Sequence, residues 1–275
     1  MMSSAKITTL KMVSTIVKPR ERIAGTSKAR KAAASKSSNV ADTVSRNNNR
    51  AIEVSRKGLS VPSASTMAEW ERVFALPTVA VARAIIGASL CRIMPSTEPD
   101  AGQEIVGRIV ETEAYLPLVD PACHGYRGPT PRNAAIFGRP GFAYVYFVYG
   151  NHYCVNVSTE RAGIGGAVLI RALEPVRGID AMRRRRPPGT PDAALACGPG
   201  NLCRALGIDR SCDGVDLRMG PLRIVLPAAQ LPRVDAGPRI GIRVATAWPL
   251  RFIDPSSESI SPFRRRASVS VNNGR

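Results

Sequence analysis

AYVYFVYGNHYCVNVS, residues 143–158, is the stretch on which the fold turns. Residues 143–149 and 153–158 are two β-rich runs of aromatic and branched side chains. Gly150, Asn151 and His152 lie between them. Strong strand composition on both sides of so short a connection predicts a β-hairpin, with Tyr149 at its tip. An aromatic there has little core to rest on. Either neighbouring loops pack it, or it is a wedge of the kind minor-groove binders insert between base steps.

Upstream, EIVGRIVETEAYL (104–116) has the composition of a long strand. Period-2 alternation puts Glu111, Glu113 and Tyr115 on one face and Val110, Thr112 and Ala114 on the other. SLCRI (89–93) predicts a strand before it. Residues 69–76 and 79–86 have helical apolar spacing, with Thr78 as N-cap and Gly87 as stop. His124 to Pro140, rich in Gly, Pro and Arg and containing TPRN (130–133), reads as loop. Downstream, AVLIRALEP predicts a buried strand ending near Arg171. VRGIDAMRRRR (176–186) and GPGNLCRALGI (198–208) predict helices, and PRIGIRV (238–244) and PLRFI (249–253) late strands. Strands clustered in hairpins, with helices between and around them, make the class α+β.

The chain has 275 residues and a formal net charge of +18. Residues 1–66 carry 13 Lys/Arg against three acids, Glu21, Asp42 and Glu53. Every lysine lies at or before Lys57, and all later basic residues are arginine. That first segment is rich in Ser, Ala, Lys and Asn and shows no sustained apolar period, so a disordered basic tail is expected. Its sequence leaves three readings open: a working basic arm, an upstream extension of the reading frame with Met67 as the start, or a transit-type leader. A single domain is expected over 67–263, with a frayed tail at 264–275. No run of about 18 apolar residues occurs, so no membrane span is expected. The six cysteines show neither CxxC pairing nor metal-ligand spacing with the two histidines. Free or buried thiols in a reducing cytoplasm are expected, with no metal and no cofactor.

All six tyrosines and both histidines fall between Tyr115 and Tyr153. Rings with a polar handle serve to sandwich a planar ligand or replace a base in a stack. A strand carboxylate beside apolar residues can have its pKa raised and accept a proton from water; strand glutamates also serve as plain ion-pair partners. With no lysine after Lys57, the domain has no ε-amine for a Schiff base, so cleavage at a sugar–base bond would use water directly. GIGG (163–166) lacks a phosphate-loop pattern, and the MRRRRPP run is equally a phosphate contact or a solvated helix end. Two alternatives stay open beside chemistry on a nucleobase in DNA. One is a nucleic-acid binding module that releases no base. The other is a small-metabolite glycosidase or nucleosidase using Glu111 and Glu113, about 6–7 Å apart along a strand, as a carboxylate pair.

Read together, RIVETEAY (108–115), His124, TPRN (130–133), YVYFVYGNHYCVNV (144–157), LIRALEP (169–175), CGPGNLCRALGI (197–208) and PRIGI (238–242) resemble the alkyladenine (3-methyladenine) DNA glycosylases. The match runs from about Leu76 to Phe252. The resemblance implies a single compact domain with a curved antiparallel sheet, flanking helices and a protruding hairpin. It implies a base-excision repair enzyme that hydrolyses the N-glycosidic bond of alkylated or deaminated purines flipped out of double-stranded DNA, without a cofactor. By position, Glu113 would be the general base and Arg171 would help hold its water. Tyr115, His124 and Tyr146 would line the base slot, and Asn156 on its floor would reject normal guanine. Tyr149 would fill the gap in the duplex, Arg132 would contact DNA, and Glu111 would be structural. Asn201 stands where many relatives carry lysine, so one phosphate contact is absent or supplied by an arginine. The short link between Met182 and Cys197 is similar to that of the compact bacterial members. A monomer, cytoplasmic and nucleoid-associated, is the expectation.

Overall fold

The computed structural model describes residues 67–226 and 233–261. The expected tails at 1–66 and 264–275 lie outside the described residues. Among the described residues no helix is long and apolar enough to cross a membrane.

The centre of the fold is β2 (Glu104–Tyr115), which follows α1 (Met67–Phe74), α2 (Thr78–Ala84) and β1 (Ser89–Ile93). After it come α3 (Ala134–Phe137), the hairpin strands β3 (Ala143–Val148) and β4 (His152–Thr159), and β5 (Gly166–Arg177). The C-terminal part holds three short helices, α4 (Ile179–Arg184), α5 (Asp192–Leu195) and α6 (Pro199–Ala205), and a 3-10 turn at Arg210–Cys212. The short strands β6 (Leu222–Val225), β7 (Asp235–Gly237) and β8 (Arg251–Ile253) complete it. All pairings in the eight-stranded sheet are antiparallel, in the order β3-β4-β5-β2-β1-β6, with β7–β8 attached to β2. The expected α+β domain with a curved antiparallel sheet and flanking helices is what the chain forms.

β2 is long enough to change partners. Its first half pairs with β1, while Glu111–Glu113 pair with β8 on the same edge. Register shifts against β5 at Ile109/Glu111 and Glu111/Thr112 mark that fork. Such irregularities bend a strand and increase local twist. Apolar packing covers the face of β2 carrying Val110, Thr112 and Ala114, where the Thr112 hydroxyl donates to Ala82 O of α2 at 2.8 Å. The other face is buried as well, although it carries glutamates. Burying carboxylates requires partners, which sets the character of the site.

The hairpin forms as expected, Val148 opposite His152. Asn151 N donates to Val148 O, and the two residues between are left-handed: Tyr149 at φ 54° and Gly150 at φ 72°. Two consecutive positive φ angles match the right-handed twist of the flanking strands. Gly150 adopts the angle freely, whereas for an aromatic it costs of order 1 kcal/mol or more.

The structure differs from expectation at several places. PRIGIRV is not a strand: Gly241 turns the chain at φ 82°, Arg239 points inward, and the Ile240 N–H goes to a side chain rather than a ladder. β5 does not end near Arg171 but continues to Arg177, because β2 is there to pair with it. LRIV (222–225), too short for a visible period, is an edge strand on β1. Thr78 is the first helical residue rather than the cap. Its hydroxyl is drawn away to Glu160 Oε1 at 2.7 Å and Thr159 Oγ1 at 2.9 Å. The 124–140 loop contains one helical turn, α3.

Candidate active site

β2 and β5 are neighbours in the sheet, so Arg171 of β5 stands over the glutamate face of β2. Its guanidinium reaches Glu111 Oε1 through Nε at 3.0 Å and Glu113 Oε2 through Nη1 at 3.3 Å. The two glutamates are otherwise unlike. Glu111 Oε1 also accepts from Arg251 Nε at 2.6 Å, and its Oε2 from Ser261 N at 2.7 Å. Two arginines and a backbone amide thus occupy its carboxylate.

Glu113 has lighter company. Oε1 accepts from Ile240 N at 2.7 Å, and Oε2 from the Tyr115 hydroxyl at 2.8 Å. Burial raises its pKa above the ordinary glutamate value; Arg171, the Ile240 N–H and the Tyr115 hydroxyl pull it back down. An ionised carboxylate offers about four acceptor positions, and three donors are present. One remains.

In front of this group lies a hollow of about 320 Å³. Tyr115, His124, Tyr146, Asn156, Tyr149 and Arg171 all line it. The Glu113 carboxylate sits behind that wall, bonded to three lining residues, Tyr115, Arg171 and Ile240. Alternation along β3 sends Tyr144 and Tyr146 to the same side, their ring centroids 5.3 Å apart and tilted by 34°. His124 packs edge-on against Tyr146, with centroids 4.6 Å apart, and its Nδ1 lies 2.9 Å from the Tyr144 hydroxyl. Its partial burial, and secondarily the Arg132 guanidinium, lower the imidazole pKa. It is therefore neutral near pH 7. Asn156, buried at the floor, donates from Nδ2 to Tyr144 O at 3.1 Å, which leaves its carbonyl oxygen without a bond to the protein.

Tyr149 stands at the rim, 82 % exposed, so no neighbouring loop packs it. Arg132 does not line the hollow; it braces the hairpin from outside, Nη2 donating to Phe147 O at 3.2 Å. The TPRN motif has a physical use that its sequence did not suggest. Asn133 is a buried staple, its Nδ2 donating to His124 O at 2.8 Å and Gly128 O at 3.1 Å. The MRRRR run is mostly neutralised: Arg183 by Asp180 and Asp192, Arg184 by Asp100, Arg185 by Glu98 and Asp100. Only Arg186 of the four has no acidic partner among the described residues. Asn201 turns inward to Cys197 O at 2.7 Å.

A family model described as methylpurine-DNA glycosylase matches residues 72–258, well over half of the chain. The chain belongs to the methylpurine-DNA glycosylase family. Membership makes it a DNA glycosylase, a hydrolase acting on N-glycosyl bonds. This glycosylase is 50% identical over 165 residues to a protein of Burkholderia lata, covering 58% of the chain and 79% of the relative. It is 47% identical over 189 residues to one of Methanoculleus marisnigri (67% and 93%), and 44% over 207 residues to one of Rhodopirellula baltica (73% and 86%). All three relatives carry 3-methyladenine DNA glycosylase as a provisional name. Sequence reasoning on this glycosylase missed Arg239, Asp120 and Asn133 as parts of the site. Asn133 and Arg239 stand inside motifs that single them out (TPRN, PRIGI); Asp120 carried no signal.

Proposed function

We propose that this DNA glycosylase excises alkylated or deaminated purines, such as 3-methyladenine, 7-methylguanine, hypoxanthine and ethenoadenine, from double-stranded DNA. The base swings out of the helix into the hollow, and water is the only nucleophile. The observation that carries the reading is Glu113: fully buried, yet hydrogen-bonded or paired to three residues of a ring-lined hollow.

In this mechanism Tyr115, Tyr146 and His124 hold the purine by stacking and edge contacts, each aromatic contact returning about 1–3 kcal/mol. That offsets the few kcal/mol spent on extrusion, which is least for a weakly paired lesion. Tyr149 enters the duplex where the base was. The free acceptor position of Glu113 binds a water, and Arg171 keeps the carboxylate ionised and aimed. The water oxygen forms a bond to C1′ while the C1′–N bond breaks. The bonding pair leaves with the purine, and the water proton passes to Glu113. Cationic 3-methyladenine and 7-methylguanine leave as neutral bases. Neutral purines leave once a ring nitrogen has taken a proton from solvent, so that the base again departs neutral and the sugar carbon keeps the hydroxyl. Asn156, on the lining of the hollow, is assigned the discrimination against normal guanine at its exocyclic amine; 7-methylguanine carries the same amine and is released because its cationic ring is the better leaving group. Arg132 and neighbouring arginines supply the salt-sensitive phosphate attraction. The lack of any lysine after Lys57 supports a hydrolytic route with no Schiff base and no strand cleavage.

The test is release of free base. The full chain is incubated with duplexes bearing single defined lesions, and the bases set free are identified by mass. Release of several damaged purines with an intact strand is expected. Binding to the same duplexes with no base released would reduce the protein to a nucleic-acid binding module, and release from free nucleosides alone would move it to metabolite chemistry.

A further inference from the structure

Against the Tyr115 ring, and outside the lining of the hollow, lies a buried ion pair that the reaction itself does not use. Arg239 and Asp120 have fully buried side chains. Arg239 Nη2 donates to Asp120 Oδ1 at 2.9 Å, and Nη1 donates to Asp120 Oδ2 and to Ala114 O at 3.0 Å. The same carboxylate accepts from Leu116 N at 3.2 Å and Ala122 N at 3.0 Å. The guanidinium carbon sits 4.6 Å from the Tyr115 ring centroid, and Arg239 Nε has no partner at all. A buried, incompletely satisfied ion pair is poor value as a stabiliser, since apolar residues of similar volume often do as well. Its geometry offers a better reason for it.

Both uncharged donors to Glu113 rest on this pair. The Tyr115 hydroxyl belongs to the ring that Arg239 backs, and the Ile240 N–H belongs to the next residue along the chain. Asp120 meanwhile ties the end of β2 to the turn that leads into His124. Three separate segments that build one wall of the hollow, 113–116, 120–124 and 239–242, are thus locked to one another through two side chains.

We infer that Arg239 and Asp120 are positioning residues for the glycosylase reaction, holding the Tyr115 ring against the base and the Ile240 N–H against the Glu113 carboxylate. This rests on the reading of Glu113 as the base. A guanidinium is needed rather than an ammonium, because only a planar fork can make the two-point contact with Asp120 while lying flat under a ring. Misplacement of a reacting group by about 1 Å can cost around 100-fold in rate.

The test uses the full chain as Arg239→Lys, with Asp120→Asn/Arg239→Met as a second variant that leaves no uncompensated buried charge. Thermal midpoint, affinity for lesion duplex and single-turnover release across pH are measured with a cationic lesion, 7-methylguanine. We expect release to fall about 10- to 100-fold, and by more than the affinity for the lesion duplex falls. We also expect the acidic limb of the rate profile to move to higher pH. The sign follows from the site: a weakened Ile240 N–H donor stabilises the ionised carboxylate less, so Glu113 takes its proton at higher pH. Tyr115, whose ring Arg239 backs, loosens together with Ile240 and moves the limb the same way; the groups facing Glu113 that do not touch the pair are Arg171 from β5, Glu111 from β2, and Tyr146 and Cys154 from the hairpin. Arg251 of β8 remains on Glu111. An unmoved acidic limb, with release and affinity lost in equal proportion, would overturn the inference and make the pair merely structural, as would release at the parental rate. Glu113→Gln run in parallel separates the two claims: if that variant still turns over, the assignment of the base fails, whatever Arg239→Lys does.

Discussion

Glu113→Gln tests the site most directly, because shape is kept and charge is lost. The carboxylate faces three donors, Ile240 N–H at 2.7 Å, the Tyr115 hydroxyl at 2.8 Å and Arg171 Nη1 at 3.3 Å. An amide can face the Ile240 N–H with its oxygen, and the Tyr115 hydroxyl can rotate to accept from the new NH₂. Arg171 Nη1 is then left facing a donor. Arg171 keeps Glu111 at 3.0 Å, so the loss is one charge-assisted contact, about 1.5–3 kcal/mol. For a domain of this size that lowers the thermal midpoint by roughly 3–12 °C, each kcal/mol being worth about 2–4 °C. The rate suffers more. Removing a positioned general base costs about 10²- to 10⁴-fold, or roughly 3–5 kcal/mol of barrier. The assay is single-turnover release from a duplex with one ethenoadenine, well below the variant's midpoint, beside a binding titration on the same duplex. Release within tenfold of the parent at equal affinity would refute the base assignment. A parallel fall in affinity would show that the pocket, and not the base, had been damaged.

Four further outcomes follow from the same geometry. Tyr149→Ala should bind abasic product about 5- to 150-fold more weakly, the equivalent of one stacking contact of about 1–3 kcal/mol; equal affinity would leave the exposed tip without a role. Tyr149→Gly should lose the same capture while gaining stability, since glycine takes the φ 54° backbone without strain, so a midpoint that falls would contradict the strain. With 7-methylguanine, which needs no acid help, release should fall with decreasing pH around a value above the ordinary glutamate pKa of about 4.3, because burial raises Glu113 and protonation removes the base; a rate flat down to that value would argue against it. Arg132→Ala should weaken binding alike on damaged and undamaged duplex and reduce the slope of log affinity against log salt by about 1, whereas a loss confined to lesion DNA would place Arg132 in the base slot instead.

The features legible in the sequence are those encoded by near neighbours along the chain. Strand alternation alone put Glu111, Glu113 and Tyr115 on one face of β2, and the short GNH connection put Tyr149 at an exposed tip. The ring cluster of Tyr115, His124 and Tyr146 was visible for a similar reason, since the tyrosines and histidines are concentrated in 39 residues that end within the hairpin. Tertiary structure decided how the two glutamates differ. Glu111 receives Arg251 and the Ser261 amide from 140 and 150 residues away, and Glu113 receives the Ile240 amide from 127 away. In a chain with 39 Lys and Arg, nothing local marks which arginine meets which acid. The same holds for Arg239, whose β-rich setting suggests a strand until Asp120, 119 residues distant, draws it inward. Periodicity is a property of consecutive residues, so it survives in one dimension. The partner of a buried charge is fixed only when the sheet closes and removes the water that would otherwise solvate it.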